Sequence, residues 1–437
     1  MSERGDKRVK LGISRVQPDK NVFTKADISM ATWTAIIFFV TYVLLVIFVG
    51  TSNDEPSLAQ NGGGGPIKYV LYSLPITLGF VYYCVFGSVS SRISWHGALA
   101  FLLYATVSML SLASNTLHGF YSVRDIAIIS GYLSMYVFWF RAPAWCVDAA
   151  LLTLALCIAI DSAWRIGSAP NLFAGGFYGF LGLSEASQQG LFGSNGILES
   201  SFAFPVGAIA LYYFSHRKRQ KFLFSLVLLF IAFKRIAFAG IVLALCFDVV
   251  VSPIISQKSR KFLAATIVVL VSLTAIFTTQ IFEGIADLLD LEETNANSVS
   301  LGRYDIAVKL WTELESAPLM NYVVGFGPGS ADQISTENFN LNPHNDWLKI
   351  IIDYGVIGFV VFHLVFLIIT RVSRLGIMIY LYNATLMVTD NVLIYMIYHP
   401  FLVLIACVAR GHEESDFTRR LTLNRRPQSL APNRPPQ

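Results

Sequence analysis

The feature that most constrains this chain is a series of long apolar runs that carry almost no charge. A bilayer hydrocarbon core about 30 Å thick is crossed by about 20 apolar helical residues. Only 14% of the 437 residues are charged, against about 25% in soluble proteins. We therefore predict an all-α, polytopic integral membrane protein. The predicted spans lie near residues 31–50, 67–87, 95–113, 123–140, 144–162, 198–214, 222–233, 236–252, 262–279, 350–370, 375–389 and 391–409.

The stretch 222–252 decides the topology, because it forms either one long span or a hairpin of two short spans around Lys234-Arg235. Lys and Arg are enriched in the cytoplasmic loops of membrane proteins. With the hairpin, the chain has about twelve transmembrane helices, both termini are cytoplasmic, and three quarters of the Lys and Arg residues lie inside. With a single span, only half of them do. The charge distribution therefore favours the hairpin.

This topology divides the chain into tails, membrane segments and one large loop. The loop is the only one long enough to fold over the membrane, and loops of such length without a function are uncommon. The predicted divisions are a cytoplasmic tail at 1–30, nine spans at 31–279, a large periplasmic loop with the catalytic residues at 280–349, three spans at 350–409 and a disordered cytoplasmic tail at 410–437.

Lys234 and Arg235 lie at an unusual depth in this topology. The preceding span, 222–233, rises only about 18 Å at about 1.5 Å per residue, so the two charges lie below the outer surface. A charge at mid-membrane costs about 2.5–3.5 kcal/mol on insertion scales. The pair implies a water-filled cavity or an anionic partner, unless both side chains extend to the lipid headgroups.

Composition and motifs argue against several other classes of protein. A net charge of +4 is too small for a nucleic-acid-binding face. The five cysteines lie in or beside apolar runs and indicate neither a disulfide framework nor a metal site; they are Cys84, Cys146, Cys157, Cys246 and Cys407. Residues 325–330 lack the lysine of a phosphate-binding loop and are predicted to form a turn. Asp248 and Asp390, near span ends, are interpreted as interfacial residues.

Two segments of the large loop carry candidate functional residues. Ile306, Leu310 and Leu314 recur at helical spacing and predict an amphipathic helix. With Ser300 as N-cap, Arg303 lies in its first turn. A cation there opposes the helix dipole, which is favourable only beside a bound anion. An ordinary surface arginine is the alternative, and the helix alone favours it.

The second segment surrounds the loop's one histidine, His344. Asn342 is a suitable N-cap and Pro343 a suitable first helical residue, which places His344 in an exposed first turn. A neutral imidazole there can accept a proton. A polar surface histidine is the alternative. The predicted proximity of Arg235 at the same membrane face favours the functional interpretation.

The order of these residues resembles the O-antigen ligase and O-antigen polymerase superfamily, bacterial enzymes that act on undecaprenyl-diphosphate-linked sugars. The resemblance covers about 195–370. Its elements are Lys234-Arg235 through Gly240, Gly302-Arg303 before Trp311, Gly325 through Gly329, Pro343-His344-Asn345, Leu348, Tyr354-Gly355 and Gly358.

The resemblance implies a GT-C-like fold and a role for each matched residue. Arg235 and Arg303 would bind the donor diphosphate, and His344 would be the catalytic base or orient the acceptor hydroxyl. Lys234 and Asn345 are possible supporting residues, and Lys234 is a departure whose role is open. No metal or cofactor is implied. Arginine suits the diphosphate because its planar fork binds oxyanions bidentately.

We therefore expect a metal-independent glycosyltransferase in the bacterial inner membrane with its active site facing the periplasm. It would move a glycan from undecaprenyl diphosphate to a glycan or lipid A-core acceptor, alongside other polysaccharide-assembly proteins. Polymerase activity is slightly favoured over ligase activity. A transporter or flippase is the alternative, opposed by the lack of a visible internal repeat and by the clustering of unusual residues at one face. A structural membrane subunit is a third interpretation.

Overall fold

The computed structural model describes the central and C-terminal helices of the chain. The predicted spans 31–50 and 67–87, the tails 1–30 and 410–437, and the loop start at 281–302 lie outside the described residues. The described residues are 95–114, 119–138, 144–168, 202–232, 234–251, 253–280, 303–339, 343–370, 373–394, 398–399, 401–406 and 408.

Every secondary-structure element in this part of the chain is helical, as predicted. A π-helical turn, Phe247–Val251, extends α6, and a 3₁₀ turn, Val392–Ile394, follows α12. The helices are α1 (Trp95–Ser114), α2 (Gly119–Phe138), α3 (Trp145–Ser168), α4 (Ala203–Ser215), α5 (Arg219–Ala232), α6 (Arg235–Cys246), α7 (Gln257–Ile276), α8 (Arg303–Glu315), α9 (Leu319–Val324), α10 (Ser330–Phe339), α11 (Asp346–Thr370) and α12 (Arg374–Thr389).

Three of these helices are long and apolar enough to cross a membrane. They contain the segments Trp95–Ala113, Ser259–Ile276 and Asp346–Thr370, which correspond to the predicted spans 95–113, 262–279 and 350–370. Their length and composition support the membrane class. The total of twelve spans and their orientation remain predictions.

The chain breaks where the pair of charges predicts a turn. Helix α5 ends at Ala232 and α6 begins at Arg235, with Lys234 in an extended conformation between them. Helix α6 then runs antiparallel to α12. Lys234 contacts Asp390 just beyond the last residue of α12, and Asp248, after α6, contacts Arg374 at its start.

Helix α8 has the amphipathic character that its sequence predicts. Ile306, Leu310 and Leu314 are all buried. Trp311 stacks on Phe277, and its indole N–H donates to the carbonyl of Ile276 at 2.9 Å. The helix therefore docks on the C-terminal end of α7.

The start of α11 differs from the predicted one. The helix begins at Asp346, and its cap is Asn345, whose side-chain oxygen accepts the backbone N–H of Leu348 at 3.0 Å. An asparagine that accepts from the third residue of a helix is a standard N-cap. The predicted start at Pro343 is therefore wrong, and His344 lies just before the helix; Asn342 is outside the described residues.

The predicted turn at residues 325–330 packs directly against a kink in α11. Gly355 has φ +64° and interrupts that helix. A Cβ atom on Gly355 would lie 2.5 Å from the carbonyl carbon of Val323, and one on Gly325 would lie 2.3 Å from that of Asp353. The two backbones thus touch at a point where only glycine fits.

Candidate active site

A buried carboxylate joins two of the residues that the sequence analysis selected. Asp390, which follows α12, has a side chain only 2% exposed. The Lys234 ammonium lies 3.1 Å from one of its oxygens, and Nδ1 of His344 lies 3.9 Å from the other. The second distance is too long for a hydrogen bond, but it allows a charge interaction once the imidazole is protonated. Segments far apart in sequence therefore meet at one point.

Lys234 has the anionic partner that its depth requires. Its side chain is 16% exposed, and its ammonium also lies 5.8 Å from the centre of the Phe204 ring, within range of a cation–π interaction. This geometry disagrees with extension to the headgroups for Lys234. The interpretation of Asp390 as an interfacial residue is also incomplete, because its carboxylate is buried against this lysine.

The two arginines are described to different extents. Arg235 is the first residue of α6, and its side chain is exposed. Arg303 is the first residue of α8 and so lies in the first turn, where it is predicted, although that helix begins later than Ser300 as N-cap implies; its side chain lies outside the described residues. The convergence of Arg235, Arg303 and His344 on one pocket therefore remains a prediction.

The helix of Arg303 and the segment of His344 are nevertheless anchored side by side. Trp311 of α8 donates to the carbonyl of Ile276, and the side-chain amide of Asn345 donates to the neighbouring carbonyl of Ala275 at 2.6 Å. Both donors thus use carbonyls at the C-terminal end of α7. Asn345 has two functions here, because it also caps α11. His344, beside it, is held in place by its neighbour.

A buried ionic network begins five residues beyond His344, and the sequence analysis missed it. The Lys349 ammonium contacts three carboxylates, and Arg124 contacts two of the same three. All five side chains are buried or nearly so. The contacts of Lys349 are with Asp125 at 2.6 Å, Asp332 at 2.7 Å and Asp353 at 2.8 Å, and those of Arg124 are with Asp125 at 2.7 Å and with Asp332.

The network joins three helices, α2, α10 and α11, near the candidate site. The Asp353 carboxylate accepts the backbone N–H groups of Gly329 and Ala331 at 3.1 and 2.8 Å, so it caps α10 from α11. Burial alone would raise the pKa of Asp332, but the ammonium of Lys349 and the guanidinium of Arg124 outweigh it and hold that pKa below its usual value. Asp332 therefore stays ionised at neutral pH.

Part of this network left a signal in the sequence. Lys349 and Asp353 lie one helical turn apart in an otherwise apolar stretch, a spacing at which opposite charges meet. The pairing of Asp125 and Asp332 with Lys349 could not be predicted from the sequence, because it depends on the tertiary fold. Among the described residues, no three His, Cys, Asp or Glu side chains are arranged to hold a metal ion.

Two further ion pairs lie at other helix ends. Lys221 contacts Asp148 at 2.7 Å, and the hydroxyl of Tyr213 donates to the same carboxylate at 2.6 Å. Arg374 binds Asp248 through two nitrogens, at 2.7 and 2.5 Å. These pairs join helix ends that the predicted topology places in the cytoplasm.

Long apolar helices and a cluster of lysine, histidine and buried aspartate at their ends define a helical membrane protein with a polar site at one face. Residues 221–363 match the family model described as O-Antigen ligase, and this segment contains Lys234, Arg235, Arg303 and His344. The match confirms the resemblance seen in the sequence: this segment of the chain is similar to the O-antigen ligase family, a family of glycosyltransferase-like enzymes. No curated protein and no solved structure matches the chain significantly.

Proposed function

We propose that the protein transfers a glycan from undecaprenyl diphosphate to a hydroxyl group of a second glycan at the periplasmic face of the inner membrane. The observation that carries the proposal is the meeting of Lys234 and His344 at the buried carboxylate of Asp390. Lys234 and His344 lie within the segment that matches the O-antigen ligase family. The family implies a lipid-linked donor and a glycan acceptor.

The cationic residues are assigned to the donor diphosphate. As the bond between the anomeric carbon and the diphosphate oxygen breaks, negative charge grows on the leaving group. Fixed cations stabilise that charge more strongly than the ground state, which is what accelerates a reaction. Arg235, exposed at the start of α6, and Arg303, at the start of α8, are the proposed ligands. Lys234, which precedes Arg235 in the chain, is proposed to add positive potential.

His344 is assigned to the acceptor. A sugar hydroxyl is a poor nucleophile, and a positioned base accelerates such a step by about 10²–10⁴-fold. When the imidazole accepts the hydroxyl proton it becomes a cation. The Asp390 carboxylate, 3.9 Å from Nδ1, then stabilises that cation. Asp390 is therefore proposed as a positioning residue that acts through His344.

The ion pairs support the proposed topology. In that topology Lys221, Asp148, Asp248 and Arg374 all lie at the cytoplasmic ends of helices, and they pair with one another. Lys234, Asp390 and His344 all lie at periplasmic ends, and they form the other cluster. None of these contacts joins opposite sides of the proposed membrane.

Substitution of His344 tests the proposed function. We expect His344→Ala to reduce glycan transfer by at least about 100-fold while binding of the lipid-linked donor is retained. Transfer is measured with purified protein in nanodiscs, and donor binding is measured separately. His344→Gln, which keeps a polar side chain without a base, should be equally inactive. Full activity of either variant would remove His344 from the mechanism.

The same assay separates the two proposed reactions. Lipid-linked repeat units supplied alone serve as both donor and acceptor for a polymerase, so chain growth is expected. A ligase produces nothing until a lipid A-core acceptor is added. We propose the polymerase reaction first. Donor movement across the bilayer without a new glycosidic bond would indicate a flippase instead.

A further inference from the structure

Helix α9 presents an apolar face to the exterior, although it lies in the segment predicted to be a periplasmic loop. Leu319 is 79% exposed, Met320 59% and Val323 38%. Their spacing of one and four residues places them on one side of the helix. Val324 is buried and Tyr322 packs against the core. The helix therefore has one side against the protein and one apolar side without a protein neighbour among the described residues.

The backbone fixes the position of α9 along α11. The helix ends at Val324, and the residue that follows it, Gly325, has φ +80°. The next two residues then bond to α11: the N–H of Phe326 donates to the carbonyl of Ile352 at 2.8 Å, and that of Gly327 donates to the carbonyl of Asp353 at 3.1 Å. Helix α9 is thus held at the level of the α11 kink.

A third hydrogen bond relates this level to α1. The hydroxyl of Ser111 donates to the carbonyl of Asp353 at 2.6 Å. The two helices are antiparallel, because Tyr104, earlier in α1, packs on Phe362, later in α11. Asp353 therefore lies at the height of Ser111, near the end of α1.

The depth of this contact in the membrane follows from its distance to the far end of each helix. Ser111 lies about 24 Å from the first residue of α1, and Asp353 lies about 25 Å from the last residue of α11, at about 1.5 Å per residue. The hydrocarbon core is about 30 Å thick. The level of α9 is therefore close to one boundary of that core, the boundary nearer to His344.

The exposed face of α9 continues an apolar surface of the two membrane helices beside it. Helices α1 and α11 both contain candidate spans, and their outward side chains near this level are apolar and exposed. They are Met109 and Leu110 on α1, and Val356, Ile357 and Val360 on α11.

We propose that α9 is an interfacial helix that inserts Leu319, Met320 and Val323 among phospholipid acyl chains. Interfacial helices bury their apolar face by about 5–10 Å at the boundary between headgroups and acyl chains. A protein partner fits less well, because a stable interface buries about 800 Å² on each side and α9 has only six residues. The lipid contact would hold the segment between α8 and α10 at the membrane surface.

Photocrosslinking in nanodiscs tests this contact. p-Benzoylphenylalanine is placed at Leu319, at Leu102 on the exposed face of α1, and at Glu315, an exposed polar position at the end of α8. The nanodiscs contain phosphatidylethanolamine and phosphatidylglycerol, and adducts are identified by mass spectrometry. We expect phospholipid adducts at Leu319 with a yield within about threefold of that at Leu102, and none at Glu315.

Two results would overturn the proposal. One is a lipid yield at Leu319 as low as that at Glu315, which would mean that α9 faces water. The other is a crosslink from Leu319 to a second copy of the chain, which would mean that protein covers the face. Met320 is the second labelled position, in case the probe at Leu319 lowers the melting temperature of the protein.

Discussion

Asp390 shows how much of the candidate site depends on a single side chain. Its two carboxylate oxygens face different partners, Lys234 at 3.1 Å and His344 at 3.9 Å. A carboxylate that is 2% exposed is costly to bury without a cation, so the Lys234 contact offsets its desolvation. The same carboxylate is then available to an imidazolium. One residue thus links the proposed donor and acceptor sides.

We predict that Asp390→Asn lowers kcat by about 10- to 100-fold, less than the loss of the base itself, because Asp390 acts only through His344. The KM for the lipid-linked donor should change little. Steady-state kinetics on purified protein measure both constants. A rise in KM with unchanged kcat would instead assign Asp390 to donor binding, and Asp390→Glu should recover part of the loss.

Lys349 gives a prediction about stability. Lys349→Met removes the ammonium from three buried carboxylates, and loss of one partner from a buried ionic cluster costs about 3–5 kcal/mol. Lys309→Met is the matched control, since Lys309 pairs with Glu313 in a partly exposed i,i+4 contact that contributes about 0.3–0.5 kcal/mol. Thermal unfolding in detergent compares them; equal melting temperatures would contradict a stabilising role for the network.

The residues that sequence reasoning could find are those with a local anomaly. Lys234 stood out because a charge interrupts an apolar run, and His344 because its loop contains no other histidine. Asp390 and Asp332 could not be assigned in the same way. Each is an ordinary acidic residue near a helix end, and only the tertiary fold shows which cation it meets.

At the scale of helices, the contact between the turn at residues 325–330 and the α11 kink restricts the sequence strongly, because it requires glycine on both sides. Gly325 and Gly355 both have positive φ and both lie against backbone rather than side chains. Backbone cannot move aside as a flexible side chain can. The contact places α9 and α10 beside the N-terminal part of α11.

We predict that Gly355→Ala destabilises the protein by more than the about 1–2 kcal/mol that a left-handed conformation costs an L-residue, because its Cβ would collide with the Val323 carbonyl. Gly119→Ala is the control. Gly119 has a similar φ, +57°, but a Cβ atom there meets none of the described residues within 4 Å. Chemical unfolding of both variants isolates the collision. Equal destabilisation would mean that the kink can relax.

Periodicity predicted some helices well and others not at all. Helix α8 follows from the spacing of its buried residues, and the break before α6 follows from the Lys234-Arg235 pair. The start of α11 was missed because Asn342 and Asn345 are both suitable caps, and only the contact of Asn345 with Leu348 and Ala275 decides between them. The short helices α9 and α10 lack enough turns for a periodic signal.

At the scale of the whole molecule, the proposed topology rests on charge bias and on which helix ends pair. We predict that a cysteine at Glu337 in α10 reacts with a membrane-impermeant maleimide in intact spheroplasts. A cysteine at Gln220 in α5 should react only after permeabilisation. Both positions are exposed, and a background without native cysteines is required because Cys246 is also exposed. The reverse labelling pattern would mean that the topology is inverted and that the candidate site faces the cytoplasm.

The partners of the site residues bear on how this protein could be recombined with others that contain the matched segment. The segment 221–363 that matches the family contains Lys234, His344 and Lys349, but Asp390, Asp125 and Arg124 lie outside it. A chimaera that exchanges only the matched segment would therefore separate Lys234 and His344 from Asp390, and Lys349 from Asp125, one of its three carboxylates. Exchanges that also include α2 and the chain through Asp390, the residue after α12, would keep each charge with its partners, so a functional exchange has to extend beyond the matched segment.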